Sequence, residues 1–373
     1  MVTESAPLPS RVPDRPLWLA SDGWSIEILD QTQLPHRVVV QRLLTLDQVV
    51  DAIRTMQVRG APLIGIAAAY GLCMALMTDD SDSGLEDAVG SLLASRPTAV
   101  NLHYAVQAVR DAIAGSPPGS RVEVAYRMTA ALAQREIDAC RSIGSHGLGL
   151  LRELSQNSRR AVQVLTHCNA GWLATLRYGT ALAPVYRAME EQLPVHVWVD
   201  ETRPRNQGWL TAWELAAGGV PHTVVSDTMA AHLLQRGEVD VVFVGTDRTT
   251  REGDVCNKIG TLSLALAARE AGVPFYAAVP LSSIDWSLDD WRQIPLEERG
   301  EEEVRLVRGL DASGVRREVA PGGAESRVRN LAFDVTPAAL VTGLITDAGI
   351  CPASRKGLRG LFPDLEPIKP ITR

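Results

Sequence analysis

Residues 161–171 read AVQVLTHCNAG. Val162, Val164 and Leu165 form a short apolar run of strand length, which ends in the polar cluster Thr166-His167-Cys168-Asn169. The same unit recurs downstream. VHVWVDE (195–201) leads to TRPRNQG, HTVVS (222–226) to DTMAA, VDVVFVG (239–245) to TDRTTREGDVCNKIG, and PFYAAVP (274–280) to LSSIDW. Apolar run, polar loop, helical pattern, repeated, predicts an α/β protein with a parallel sheet covered by helices on both faces. In such sheets ligands collect beyond the carboxyl ends of the strands. The polar clusters that follow these runs are therefore where a site is expected.

Before residue 156 the rhythm differs. WSIEILD (24–30) and HRVVVQRL (36–43) flank QTQLP and predict an antiparallel hairpin. Leu46, Val49, Val50, Ile53 and Met56 then recur at helical spacing, with Thr45 and Gln48 placed for a capping box. The stretch APLIGIAAAYGLCMALM (61–77) is uncharged, short of a spanning length and rich in Ala and Gly, so it predicts a buried helix instead of a membrane segment. Helical patterns continue to about residue 155. The division expected is a flexible tail over 1–16, a mainly helical domain with a small antiparallel sheet over 17–155, and the catalytic parallel-sheet domain over 156–373.

Composition bounds the function. At 373 residues with 46% hydrophobic and 22% charged residues, the chain suits a globular protein of two domains or one large α/β unit. A net charge of −7 argues against nucleic acid and anionic membranes as partners, so any anionic ligand needs a local cluster of donors. Five cysteines without a C-x-x-C pair form neither a disulfide framework nor a zinc site, and predict reduced thiols in a cytoplasmic protein without a metal. The proline-rich N-terminus lacks the apolar core of a secretory signal.

Several groups are placed for chemistry. Cys168 follows a strand and precedes a helical pattern near Gly171. A thiol at a helix N-terminus has a lowered pKa, whereas a buried cysteine is ordinary core filler. His167 is expected to face away from Cys168, because neighbours on extended chain alternate sides. Asp247 in VGTDR lies beyond the most continuous strand run, as a general acid or base, a helix cap or a partner for Arg248. GDVCNKIGT (253–261) joins Asn257 and Lys258 to a helix start, a natural phosphate cradle but not a Walker motif. RGAP (59–62), SRPTAVNL (95–102) and DETRPRNQG (200–208) carry arginines in stiff loops, with Asp200 and Glu201 available to neutralise Arg203 and Arg205 internally. The acidic run EERGEEEV (297–304) is expected to be a solvated surface.

Taken together and in order, ILDQTQLP, AIRTMQVRGAPLIGIAAAYGL, RPTAVNL, IGSHG, LTHCNAG, VDETRPRNQG, TAWEL, DTMAA, VGTDR, GDVCNKIGT, VPFYAAVPLSSID and FDVTP resemble the methylthioribose-1-phosphate isomerase family over residues 24–350. The resemblance implies a helix-rich N-terminal domain on a Rossmann-like C-terminal domain, a homodimer and no cofactor. It implies conversion of 5-methylthio-α-D-ribose 1-phosphate to 5-methylthio-D-ribulose 1-phosphate in methionine salvage. Cys168 and Asp247 match its catalytic positions; Arg59, Gly60, Ala61, Arg96, Gln207, Asn257 and Lys258 match its substrate-binding positions. Thr246, Cys256 and Trp172 depart from the usual motifs, and a bulky Trp172 beside the site is expected to reshape the pocket for the 5′ substituent. Sister isomerases of 5-deoxyribose 1-phosphate or ribose 1,5-bisphosphate are rival readings. So is a non-catalytic regulatory subunit of the translation-initiation exchange factor, which shares the fold.

Overall fold

A computed structural model describes residues 13–156, 159–323 and 325–363. The tail expected over 1–16 thus falls mostly outside the described residues. In chain order the N-terminal half contains β1 (Leu17–Leu19), β2 (Ile26–Leu29), β3 (Val40–Leu43), α1 (Leu46–Arg54), α2 (Ala61–Thr78), α3 (Asp82–Ser95), α4 (Val100–Ile113) and α5 (Arg121–Gln156). The C-terminal half begins with β4 (Val162–Thr166), α6 (Ala183–Glu190), β5 (Val195–Asp200), α7 (Gln207–Ala217), β6 (His222–Val225), α8 (Asp227–Gln235) and β7 (Val241–Val244). It continues with β8 (Arg248–Thr250), β9 (Val255–Lys258), α9 (Thr261–Glu270), β10 (Phe275–Val279), β11 (Ile284–Asp285) and α10 (Glu302–Arg305). A hairpin of β12 (Val307–Leu310) and β13 (Arg316–Val319) precedes β14 (Phe333–Thr336), β15 (Gly343–Thr346), β16 (Gly349–Cys351) and α11 (Arg355–Leu361).

The hairpin of β2 and β3 forms as expected and gains β1 as a third antiparallel strand. Thr45 caps α1 by accepting the Gln48 N–H at 3.2 Å, and Gln48 Oε1 returns to the Leu44 N–H, one residue beyond the usual reach of a capping box. Helix α2 is apolar on every side, and such a helix is stable only when surrounded. Nearly all of it is buried, with α1, α3, α4 and α5 packed around it. It is the one described helix long and apolar enough to cross a membrane, and the protein core covers 83% of it.

The 36-residue α5 packs on α2 and α4 at one end and on α6 and β15 at the other, so one rigid rod joins the two halves. Midway along it Glu136 is buried against Ser282, and one carboxyl oxygen has no partner. Burial, with a smaller push from Asp347, raises its pKa from 4.5 to about 7 against a hydrogen bond from Ser282. The folded state therefore holds a proton that the unfolded chain releases. This contribution to stability is fully present below pH 4.5 and lost as pH rises through about 7. Glu136→Gln is expected to gain stability over wild type by on the order of 2 kcal/mol between pH 5 and 8, read from melts at both pH values.

The large sheet has the order β16-β15-β10-β7-β4-β5-β6 and is parallel except at the β15–β16 edge. Starting at β4, the chain builds outward through β5 and β6, then crosses to β7 on the other side of β4 and builds outward again. The direction of winding therefore reverses between β4 and β7. That reversal opens a crevice at the carboxyl ends of these two strands. One expectation fails here: residues 246–260, read as a loop, contain β8 and β9, which pair with β11 and β14 in a second sheet.

Candidate active site

Cys168 stands two residues beyond β4 and Asp247 three beyond β7, one on each side of the crevice. Between them opens a cleft lined by Arg59, Gly60, Ala61, Arg96, Gln207, Asn257 and Lys258 as well as by Cys168 and Asp247. All nine residues singled out from sequence thus meet in one place. Arg59, Gly60, Ala61 and Arg96 come from the helical half; the others come from the parallel-sheet half.

Cys168 adopts φ +65°, a left-handed conformation that costs a non-glycine residue about 1 kcal/mol. The turn is held from both sides. Its N–H donates to Thr202 Oγ1 at 2.8 Å, and its carbonyl accepts from Thr211 Oγ1 at 2.8 Å. No helix follows near Gly171, contrary to expectation; there is only one 3-10 turn at Trp172–Ala174, and α6 starts at Ala183. The thiol pKa is accordingly raised, not lowered: burial dominates over the attraction of Lys258 and Arg59. Asp247 is raised in the same way by burial, against Lys258, Arg96 and Arg59. Its backbone N–H donates to the Cys256 carbonyl, while Arg248 pairs with Asp285, so Asp247 is not spent on its neighbour.

His167 borders the cleft, but both of its ring nitrogens are already engaged. Its Nε2 meets the Ile259 carbonyl at 2.9 Å and its Nδ1 the Asp200 carboxylate at 3.1 Å. Both ring nitrogens must donate to satisfy those acceptors. Although burial opposes it, Asp200 holds the ring toward its protonated form. His167, Asp200 and Asp227 bring potential metal-ligand atoms within 4.8 Å of one another. Asp227 already accepts the N–H groups of Thr202 and Arg203, so the trio works as a strut beneath the Cys168 turn.

The cationic groups differ from the expected cradle. The N–H groups of Gly260 and Leu262, at the start of α9, are already taken by the Asp334 carboxylate. Lys258 is instead the last residue of β9, buried, with its Nζ 4.8 Å from the centre of the Phe333 ring and no ion-pair partner among the described residues. Burial lowers its pKa while Cys168 and Asp247 oppose the shift. The open helix terminus belongs to α2: Gly60 caps it without a side-chain hydrogen bond, Pro62 sits in its first turn, and Gly60, Ala61 and Pro62 all line the cleft. Arg59 is anchored by Gln31 at 3.2 Å and by the Asn169 side chain and carbonyl.

Three further expectations are corrected. Trp172 does not line the cleft; it packs on Trp213, ring centres 5.9 Å apart, beside Leu29, Leu34 and Leu210. Asp200 does not neutralise Arg203 or Arg205, because it serves His167 while Arg205 pairs with Glu303. The acidic run is a solvated face only in part: Glu298, Glu301 and Glu302 are exposed, but Glu297 and Glu303 are part-buried and paired with Arg96, Arg205 and Arg299. Asn169, which orients Arg59, and Phe333, beneath Lys258, are site residues that the sequence reading passed over. Each stood inside a quoted motif, Asn169 in LTHCNAG and Phe333 at the start of FDVTP.

The chain matches the Initiation factor 2 subunit family over residues 57–353. It is 53% identical over 353 residues to the methylthioribose-1-phosphate isomerase of Rhodospirillum centenum, covering 94% of each chain. With the enzyme of the same name from Rhodospirillum rubrum it shares 51% over 363 residues, 95% of this chain and 93% of that one. Among solved structures it resembles 5-methylthioribose 1-phosphate isomerase from Pyrococcus horikoshii OT3, with a TM-score of 0.78 and 36% identity over 94% of this chain and 96% of that one. Subunit delta of translation initiation factor eIF-2B from A. fulgidus superposes with a TM-score of 0.76 and 33% identity, over 94% and 99% of the two chains. With the cleft, the crevice and these likenesses in agreement, the chain belongs to the methylthioribose-1-phosphate isomerases of the Initiation factor 2 subunit family.

Proposed function

We propose that the chain isomerises 5-methylthio-α-D-ribose 1-phosphate to 5-methylthio-D-ribulose 1-phosphate, with Cys168 and Asp247 as catalytic residues. The observation that supports this most is the convergence of all nine candidate residues on one cleft at the sheet's switch point. Lys258 is a buried cation without an anionic partner among the described residues, and such a group is costly unless a ligand pairs it. The open N-terminus of α2 supplies amides beside it, and Arg96 adds a second charge. The C1 phosphate fits between them.

The phosphate ester at C1 prevents simple opening to a free aldehyde, so an acid must protonate the ring oxygen as it leaves. Asp247, its pKa raised by burial, is suited to give that proton to the ring oxygen and then, as the carboxylate, to take the C2 hydroxyl proton as the C2 ketone forms. Cys168 stays a neutral thiol and donates toward charge developing on the sugar. The hydrogen on C2 then reaches C1, by enolate-like proton transfer or by direct hydride shift. The 5′ end is directed toward a wider cavity that shares Met56, Arg59 and Gln207 with the cleft and offers Leu34, Trp209 and Leu210 as apolar surface. The same cavity also carries Arg205 and Arg308, which are paired with Glu303 and Glu318, and Arg316, so the methylthio reading rests on the apolar side of the cavity.

Side-by-side kcat/KM for methylthioribose 1-phosphate, 5-deoxyribose 1-phosphate and ribose 1,5-bisphosphate tests the assignment, with the methylthio sugar expected to be preferred. No turnover of any of them would return the chain to a non-catalytic role. Running the reaction in D2O separates the routes, since deuterium washed into C1 excludes a pure hydride shift. The family resemblance also supports a cytoplasmic homodimer whose two domains divide near residue 156.

A further inference from the structure

The segment from Glu297 to Glu303 carries an alternating line of charges just outside the cleft. Arg96 Nη2 lies 3.6 Å from Glu297 Oε2. Arg299 donates from Nη1 to Glu297 Oε1 at 2.6 Å and from Nε to Glu303 Oε1 at 2.8 Å. Arg205 Nη1 closes the line on the same Glu303 oxygen at 2.6 Å. These residues come from three parts of the fold. Arg96 follows α3 in the helical half, Arg205 stands two residues before Gln207, and the others form a strap between them.

The strap is fastened to the chain leading into β14. The Arg299 N–H donates to the Asn330 carbonyl, the Ala332 N–H to the Glu297 carbonyl, and Asn330 Nδ2 to Glu303 Oε2 at 3.1 Å. Its side chains are part-buried, 11% exposed at Arg96 and Glu303 and 21% at Glu297, so solvent screens this line less than a surface pair. Burial works against the Glu297 charge, but Arg96 and Arg299 hold its pKa below the ordinary range. Arg96 has no other ion-pair partner among the described residues. Without Glu297, a long side chain at the cleft wall would be free to sample many rotamers.

We propose that Glu297 is a positioning residue for Arg96, and that the line through Arg299, Glu303 and Arg205 ties the arginine wall of the cleft to the loop carrying Gln207. The inference rests on the substrate-binding role given to Arg96 above. Removing the Glu297 charge has two effects of opposite sign. The cleft becomes more positive, which favours an anion; Arg96 loses its anchor, which disfavours one. Positioning requires the second to win.

The test titrates inorganic phosphate into wild type, Glu297→Gln, Arg96→Gln and the double variant by calorimetry, and measures KM for methylthioribose 1-phosphate on the same proteins. Glu297→Gln is expected to weaken phosphate binding and raise KM by about tenfold, with kcat within about twofold of wild type. The double variant is expected to be no worse than Arg96→Gln, because Glu297 acts through Arg96. Glu297→Asp, which keeps the charge but shortens its reach, gives an intermediate KM. Glu298→Gln, an exposed neighbour paired with Arg329, changes neither quantity. Tighter phosphate binding by Glu297→Gln, or losses that multiply in the double variant, overturns the proposal. So does a wild type that binds no phosphate. A wild type that binds phosphate but turns over no sugar phosphate overturns the isomerase reading, and the phosphate titration still decides the positioning role.

Discussion

Asp247→Asn is expected to lower kcat by about a thousandfold and leave KM within a few-fold of wild type. Asparagine keeps the shape of the carboxyl group and its place beside the Cys256 carbonyl, but it has no proton to give the ring oxygen. The pH profile carries a second signature. Asp247 is faced by Lys258 and Cys256 from β9, by Arg59 and Arg96 from the helical half, by Cys168 and by Glu297. Burial outweighs the three cations, so the protonated form survives to higher pH than for an ordinary aspartate. With that form as the acid, wild-type kcat falls as pH rises through the raised pKa, and the residual activity of Asp247→Asn lacks that limb. A variant that keeps wild-type kcat would remove Asp247 from the chemistry.

Cys168 obeys the same physics with a different result. The strand-to-helix reading of LTHCNAG left a thiolate and a core cysteine both open, because a helix N-terminus would have stabilised the anion. The chain instead runs from Cys168 through a short turn, and the left-handed backbone at φ +65° turns the residue into a buried cleft. Burial disfavours the anion, and Lys258 and Arg59 recover only part of the loss. A buried thiol of this kind suits donation from the neutral form better than nucleophilic attack, as the proposed role of Cys168 requires. Slow alkylation of wild type by iodoacetamide at neutral pH is the matching result.

What could be read from sequence was whatever repeats locally. The apolar runs of β4, β5, β7 and β10 each end at a polar loop, and that pattern alone placed Cys168, Asp247 and Gln207 at one edge of one sheet. Helix α2 was legible because nothing charged interrupts it. Most of the missed features depend on partners distant in the chain. β8 and β9 pair locally with each other, but strands this short leave too little alternation to detect. Glu297 looked solvated because its partner Arg96 is some 200 residues away, and the Asp334 that occupies the start of α9 lies 74 residues beyond Gly260. Trp172 looked close to the site because it follows LTHCNAG directly, yet Leu29, Leu34 and Trp213 draw the indole away.

Gly60→Ala is expected to damage stability and binding together, because one backbone position serves both. Gly60 adopts φ +92° and ψ 132°, a region closed to residues with a Cβ, so an alanine there is strained by about 1–3 kcal/mol before any contact is counted. Its Cβ would also lie 2.4 Å from the Ala174 carbonyl oxygen and 2.5 Å from the Ala174 Cα, and backbone atoms cannot swing aside as a flexible side chain does. The start of α2 must therefore retreat from the turn after Cys168. That movement pulls Arg59 off Asn169 and Gln31, and carries the open α2 amides away from Lys258. A stability loss of about 3 kcal/mol or more, read by thermal melting, should accompany a rise in KM of at least tenfold. The two losses should be inseparable: a Gly60→Ala protein with a wild-type melt and an unchanged KM would mean that the close approach of α2 to this turn is not what builds the phosphate side of the cleft.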